Sequence, residues 1–110
     1  MVTYGMPRVG NPAFADYISS ISRVSLTHIN NDSDLIPIVP GRFLGFEHPV
    51  GEVHITSDDS TQGTWYGCSG EDDATDSQCE ISSVPNIFEG NILDHLGPYN
   101  GIYIGTIFCT

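Results

Sequence analysis

The apolar positions fall into short blocks with two different periods. Ala13, Phe14, Tyr17, Ile18 and Ile21 recur at three- and four-residue steps, which places them on one face of a helix. Asn11 ahead of them can accept an unsatisfied N–H of the first turn. Pro12 suits the first helical position, where its missing N–H costs nothing. The pattern predicts a short amphipathic helix over residues 12–22. "RVSLTHI" then alternates, with Val24, Leu26 and His28 on one side and Arg23, Ser25 and Thr27 on the other, the period of a strand. "VTY" at 2–4 reads as a strand stub before the turn residues Gly5, Pro7 and Gly10. Strand, helix and strand in that order predict a βαβ unit, hence a parallel sheet.

"FLGFEH" and "GEVHITS" read as two short strands forming a hairpin across Pro49 and Gly51. Residues 57–86 are polar, acidic and rich in Ser, Gly and Asp, and are too long for an ordinary connection. Tyr99, Ile102, Tyr103, Ile104 and Ile107 predict a last helix, from about Pro98 to Phe108, packed on the sheet. No internal repeat or linker divides the chain, so residues 1–110 are expected to form part of one domain.

Charge narrows the partners. Three basic residues against fourteen acidic ones give a net charge of -11, which disfavours nucleic acid and anionic membrane surfaces. Seven acids crowd residues 58–80, whereas residues 1–30 hold only Asp16. No apolar run approaches the ~20 residues of a membrane span. The first ten residues lack a basic region followed by an apolar stretch, so they do not read as a signal peptide. Cys68 and Cys79 could close a small disulfide loop, which leaves Cys109 over. That implies a free thiol, an intermolecular bond or a partner outside this chain. No cysteine or histidine spacing matches a zinc site, and "EDDATD" lacks the ligand pattern of a calcium loop. It reads as a solvated loop.

Two residues carry candidate chemistry. In open parallel sheets functional loops lie at the carboxyl ends of strands, and Asp34 follows the strand expected to end near Ile29. A carboxylate there could accept the Nδ1–H of a histidine and stabilise the imidazolium formed during proton transfer. The same residue could merely begin a turn. Pro37 and Pro40 limit the freedom of its loop. His95, between Leu93 and Leu96, suits a base on a loop, although an apolar setting also suits a packed core histidine. His28, His48 and His54 compete for the role, and Asp94 reads as a cap or surface acid. The serine is missing. None of the eleven serines sits in the G-x-S-x-G elbow that presents a nucleophile on a strand-to-helix turn, and "GCSG" at 67–70 is one residue too short.

"TYGMPRVGNPAFADYI" at 3–18 resembles the segment that follows the nucleophile elbow in fungal class 3 lipases, the family of filamentous-fungal triacylglycerol lipases and related feruloyl esterases. Only Met6 departs from the glutamine usual in that phrase. "RVSLTHINNDSDLIPIVP" resembles the family's strand and acid loop, with Asp34 at the catalytic aspartate. Extra residues in "INNDSD" make Asp32 a second candidate. "LGFEHPVGEVHI" resembles the next hairpin, with His48 at a structural histidine. "DHLGPYNGIYIGTIFC" resembles the last segment, with His95 at the catalytic histidine and Cys109 at the terminal cysteine, while Gly97–Pro98 departs from the family pattern. "GCSG" and "SQC" match a short disulfide loop seen in some members, pairing Cys68 with Cys79.

The resemblance covers essentially all 110 residues and implies the C-terminal half of an α/β-hydrolase, part of a mostly parallel sheet with flanking helices. In this family the chain order is Ser, then Asp, then His. The nucleophile, oxyanion hole and lid would belong to an N-terminal half not contained here. The implied parent is a secreted serine ester hydrolase acting on acylglycerols or similar esters, without cofactor. The present chain would be inactive alone and could pair with a complementary N-terminal lipase half. The expectation from a different class is a non-catalytic binding or regulatory module.

Overall fold

The computed structural model describes residues 1–56, 65–70, 79–80 and 84–104. Four strands form one sheet in the order β1 (Val2–Tyr4), β2 (Thr27–Asn31), β3 (Glu52–Ile55), β4 (Trp65–Gly67). β1 and β2 are parallel, as are β2 and β3, while β4 runs antiparallel on β3. The βαβ unit is present, with α1 (Pro12–Ser20) as its crossover. Asn11 caps it as expected, its side chain accepting the Phe14 N–H at 2.9 Å.

Several boundaries move, each for a local reason. α1 stops at Ser20, whose hydroxyl donates to the Tyr17 carbonyl at 2.7 Å; the serine-rich run beyond it favours such local bonds over helix. β2 starts at Thr27, not Arg23, because a strand exists only where it has partners. β1 offers it three residues and β3 four. "FLGFEH" is no strand. Arg42–Leu44 form a 3-10 turn that ends at Gly45 with a φ of 86°. Among the described residues the segment's one backbone bridge is at Glu47, whose N–H donates to the Gly10 carbonyl at 2.9 Å. The antiparallel pair is made instead by β3 with β4, from within the long acidic segment.

The tail differs too. Tyr99 and Ile102 exchange backbone bonds at 2.8 and 3.1 Å around Asn100 and Gly101, both with positive φ. This tight turn is incompatible with a helix over residues 99–104. Residues 105–110, with Cys109, lie outside the described residues.

By strand alternation the sheet presents two unlike faces. One carries the apolar core, in which Ile29 and Ile55 are buried with Tyr99 and Val53 packs beside them. The other carries His28, Asn30, Glu52 and His54, all buried. A disulfide joins Cys68 to Cys79. The Cys68 N–H donates to the Glu52 carbonyl at 2.9 Å, so the bond ties residues 79–80 to β3. No helix among the described residues is long and apolar enough to cross a membrane.

Candidate active site

Asp34 lies just past the carboxyl end of β2. The chain leaves the strand through Asp32, at a φ of 43°, and the Asp34 N–H turns back to the Asn31 carbonyl at 2.9 Å. One carboxylate oxygen, Oδ1, accepts the Ile36 N–H at 2.8 Å. The other, Oδ2, lies 2.8 Å from His95 Nδ1. Asp34 is completely buried, whereas the His95 side chain keeps 32 % of its surface. Asp34, rather than Asp32, meets the histidine. Burial pushes the Asp34 carboxyl above its usual range, opposed by the bonds from Ile36 and His95 and by the positive charge of a protonated His95.

His95 arrives from sixty-one residues away, on the 3-10 turn Ile92–Leu96 rather than on a loop before a helix. Asn91 caps that turn, its side chain accepting the Leu93 N–H at 3.0 Å. The turn is fastened to the acid loop at three points: Asn31 Nδ2 donates to the Asp94 carbonyl at 2.9 Å, the Ser33 N–H donates to Asp94 Oδ2 at 3.2 Å, and the Asn91 N–H donates to the Ser33 carbonyl at 2.6 Å. Asp94 is therefore more than a surface acid. It holds the two halves of the site in register. Tyr99 adds a bond from its hydroxyl to the His95 carbonyl at 3.2 Å and packs edge-on against Tyr4, with ring centroids 5.2 Å apart.

Gly5 fills the last side. Its φ is 55°, and a Cβ there would come within 2.5 Å of His95 Nδ1 and 2.8 Å of Asp34 Oδ2. The pair closes only because this position is bare. Gly5, Tyr99 and the Asn31–Asn91–Asp94 clamp were not singled out from sequence. The only cue was Gly5 directly after a strand stub.

The other histidines take structural places. His28 and His48 stack with centroids 4.8 Å apart. Their Nε2 atoms lie 3.0 Å from the Pro49 carbonyl and 2.7 Å from the Pro37 carbonyl. His48 thereby pins the segment that follows Asp34. His54 Nε2 lies 2.9 Å from the Asp32 carbonyl and 3.2 Å from Glu80 Oε2.

Glu80 is buried, and desolvation, reinforced by the charge of Glu52, lifts its carboxyl from 4.5 to about 10. Between those values the folded chain holds a proton that the unfolded chain has released, so stability must fall as pH rises. Chelator-treated protein is expected to lose urea resistance steadily from about pH 5 to about pH 8, by at most ~1.4 kcal/mol per pH unit for this one group. Glu80→Gln, neutral throughout, should flatten that slope; an unchanged slope would show that Glu80 titrates normally.

A cavity of about 720 Å³ opens along the continuation of the acid loop, between Ile38–Leu44 and Val84–Phe88. Phe43 and Phe88 on its rim are 90 % and 91 % exposed. Arg8 holds one wall, its guanidinium donating to the carbonyls of Ile38 and Pro40.

A mostly parallel sheet, with a carboxylate and an imidazole paired beyond its strand ends, has the architecture of an α/β-hydrolase. The class 3 lipase profile matches residues 1–44. A secreted mono- and diacylglycerol lipase of Gibberella zeae is 34% identical over 106 residues, 96% of this chain and 33% of that protein. The lipase of Rhizomucor miehei is 36% identical over 110 residues, 100% of this chain and 27% of that protein. A solved triacylglycerol lipase, whose catalytic centre is a serine-protease triad, superposes with a TM-score of 0.73 at 35% identity, over 94% of this chain and 36% of its own. The chain belongs to the fungal class 3 lipase family and spans about a third of the length of these relatives.

Proposed function

We propose that these residues supply the acid and base of a Ser-Asp-His ester hydrolase acting on acylglycerol-like esters. The observation that carries the reading is the bond between buried Asp34 and half-exposed His95, at 2.8 Å. With Nδ1 engaged by Asp34, Nε2 is the atom left to take a proton from a serine and return it to the leaving alcohol. Asp34 fixes the tautomer and stabilises the imidazolium. The apolar cavity beside the acid loop suits the acyl part of an ester, since its exposed Phe43, Leu44, Ile87 and Phe88 have apolar area to bury.

No G-x-S-x-G occurs in the 110 residues, so the serine and its oxyanion hole come from elsewhere, in a longer chain or a complementary lipase half. The disulfide agrees with an oxidising compartment, and relatives such as the Gibberella zeae lipase are secreted; secretion of the complete enzyme follows from this reading. The test is reconstitution. Alone, the chain is expected to show no serine-dependent turnover of short-chain aryl esters. Combined with an N-terminal segment from a related lipase that holds G-x-S-x-G, it should gain turnover that an organophosphonate blocks. Organophosphonate-sensitive turnover by the chain alone, with the label on one of its own serines, would overturn the reading.

A further inference from the structure

The polar face of the sheet gathers more buried acid than its neighbours balance. Glu52 and Glu80 are 6 % and 2 % exposed, and the wholly buried Asp34 lies nearby. Arg8, itself buried, donates to the carbonyls of Ile38 and Pro40, and its single positive charge offsets these acids only in part. Among the described residues neither carboxylate oxygen of Glu80 has a hydrogen-bond partner. His54 Nε2 stands 3.2 Å from its Oε2. Asn30, the register neighbour of His54 on β2, is also wholly buried, with both its amide oxygen and nitrogen unsatisfied. Buried polar groups without partners are costly and ask for something to fill the gap.

We propose that Glu52, His54 and Glu80 form a binding site for a first-row divalent cation, best fitted by Zn²⁺. Their donor atoms lie within 4.8 Å of one another. His54 Nε2 is also 2.9 Å from the Asp32 carbonyl, which turns inward at the left-handed residue Asp32 and can serve as a fourth donor. Ligands about 2.0–2.2 Å from a tetrahedral zinc ion stand roughly 3.3–3.6 Å apart. The spacings from His54 to Asp32 and to Glu80 are therefore already near those of neighbours in a coordination shell, and Glu52 needs only a small inward movement. One imidazole with carboxylate and carbonyl oxygens is a donor set for zinc-like ions, whereas calcium takes six to eight oxygens. Binding at Nε2 takes the neutral imidazole with its proton on Nδ1 and releases to solvent the proton that burial holds on Glu80, after which two carboxylates balance the double positive charge.

The chain builds the three side-chain donors of this site from two places. Glu52 and His54 are two apart on β3 and so share a face. Glu80 reaches them because Cys79, its neighbour, is bonded to Cys68 beside β3. Its N–H then donates to Glu52 Oε1 at 2.7 Å. No contiguous motif announces such a cluster, which is why spacing alone showed no metal pattern.

The experiment titrates the full chain, chelator-treated and kept oxidised, with Zn²⁺ alone and with Mg²⁺ alone, by calorimetry and by thermal melting. One Zn²⁺ per chain, a raised melting temperature and no response to Mg²⁺ are expected. Glu80→Gln should weaken binding by more than about 10-fold, the loss typical even of an outer-shell partner, and His95→Ala should retain it. Should Glu80→Gln fail to fold, the isosteric Glu52→Gln takes its place with the same expected loss. Co²⁺ should give visible absorption bands that His54→Ala abolishes. Absence of saturable Zn²⁺ binding by the folded chain, or binding that persists in the glutamine variant and vanishes in His95→Ala, overturns the proposal.

Discussion

Replacing His95 by alanine is expected to abolish ester hydrolysis in the serine-completed enzyme, and Asp34→Asn to lower it by on the order of 10⁴. The two effects differ in origin. Without His95 nothing removes the serine proton, so the nucleophile stays a neutral hydroxyl. Asparagine keeps the shape of the acid but can turn an N–H toward Nδ1, which forces the wrong tautomer and offers no charge to the imidazolium. The Ile36 N–H accepted by Oδ1 at 2.8 Å can still find the amide oxygen, so substrate binding should hardly change. Asp32→Asn should be mild, since Asp32 meets His54 through its backbone carbonyl, which asparagine keeps. The measurement is aryl-ester turnover in the reconstituted complex. Full activity of His95→Ala, or a crippled Asp32→Asn beside a mild Asp34→Asn, would refute these roles.

Gly5→Ala is expected to be nearly as damaging, though alanine adds a single methyl group. The new Cβ would sit 2.5 Å from His95 Nδ1, inside any real contact distance, and the imidazole would have to move off Asp34. A misplacement of about 1 Å in such a pair can cost ~10²-fold in rate. The left-handed backbone adds a cost of roughly 1–2 kcal/mol for any residue with a Cβ. Gly70→Ala separates the two causes, because Gly70 also has a positive φ, of 83°, but nothing within 4 Å. It should lose only the backbone contribution and leave turnover unchanged. In the uncompleted chain the downfield proton resonance of a His95 Nδ1–H bonded to carboxylate should disappear in Gly5→Ala and persist in Gly70→Ala. Equal behaviour of the two variants would show that closeness to the pair is irrelevant.

Local chemistry determined much of this protein before any folding in space. The cap at Asn11, the proline after it and the apolar spacing through Ile18 dictate α1, since each acts within one turn of helix. "VTY", α1 and the alternation through His28 dictate a parallel βαβ unit, and the phrases around Asp34 and His95 mark the family and both members of the pair. Long-range contacts decided the rest. β2 begins where β1 and β3 can bond to it, not where alternation begins. "FLGFEH" alternates well enough but has no strand beside it, and Asn100 and Gly101 turn a helix-like run back on itself. Asp94 looked like a cap because its partners, Asn31 and Ser33, are sixty residues away in sequence. Gly5 resembles any turn glycine until His95 is folded over it. Glu80 is one acid among many in a polar stretch until the disulfide sets it against Glu52 and His54. Backbone geometry and capping are settled by neighbours in the chain, whereas burial, strand pairing and the closing of a site depend on residues that only the fold brings within bonding distance.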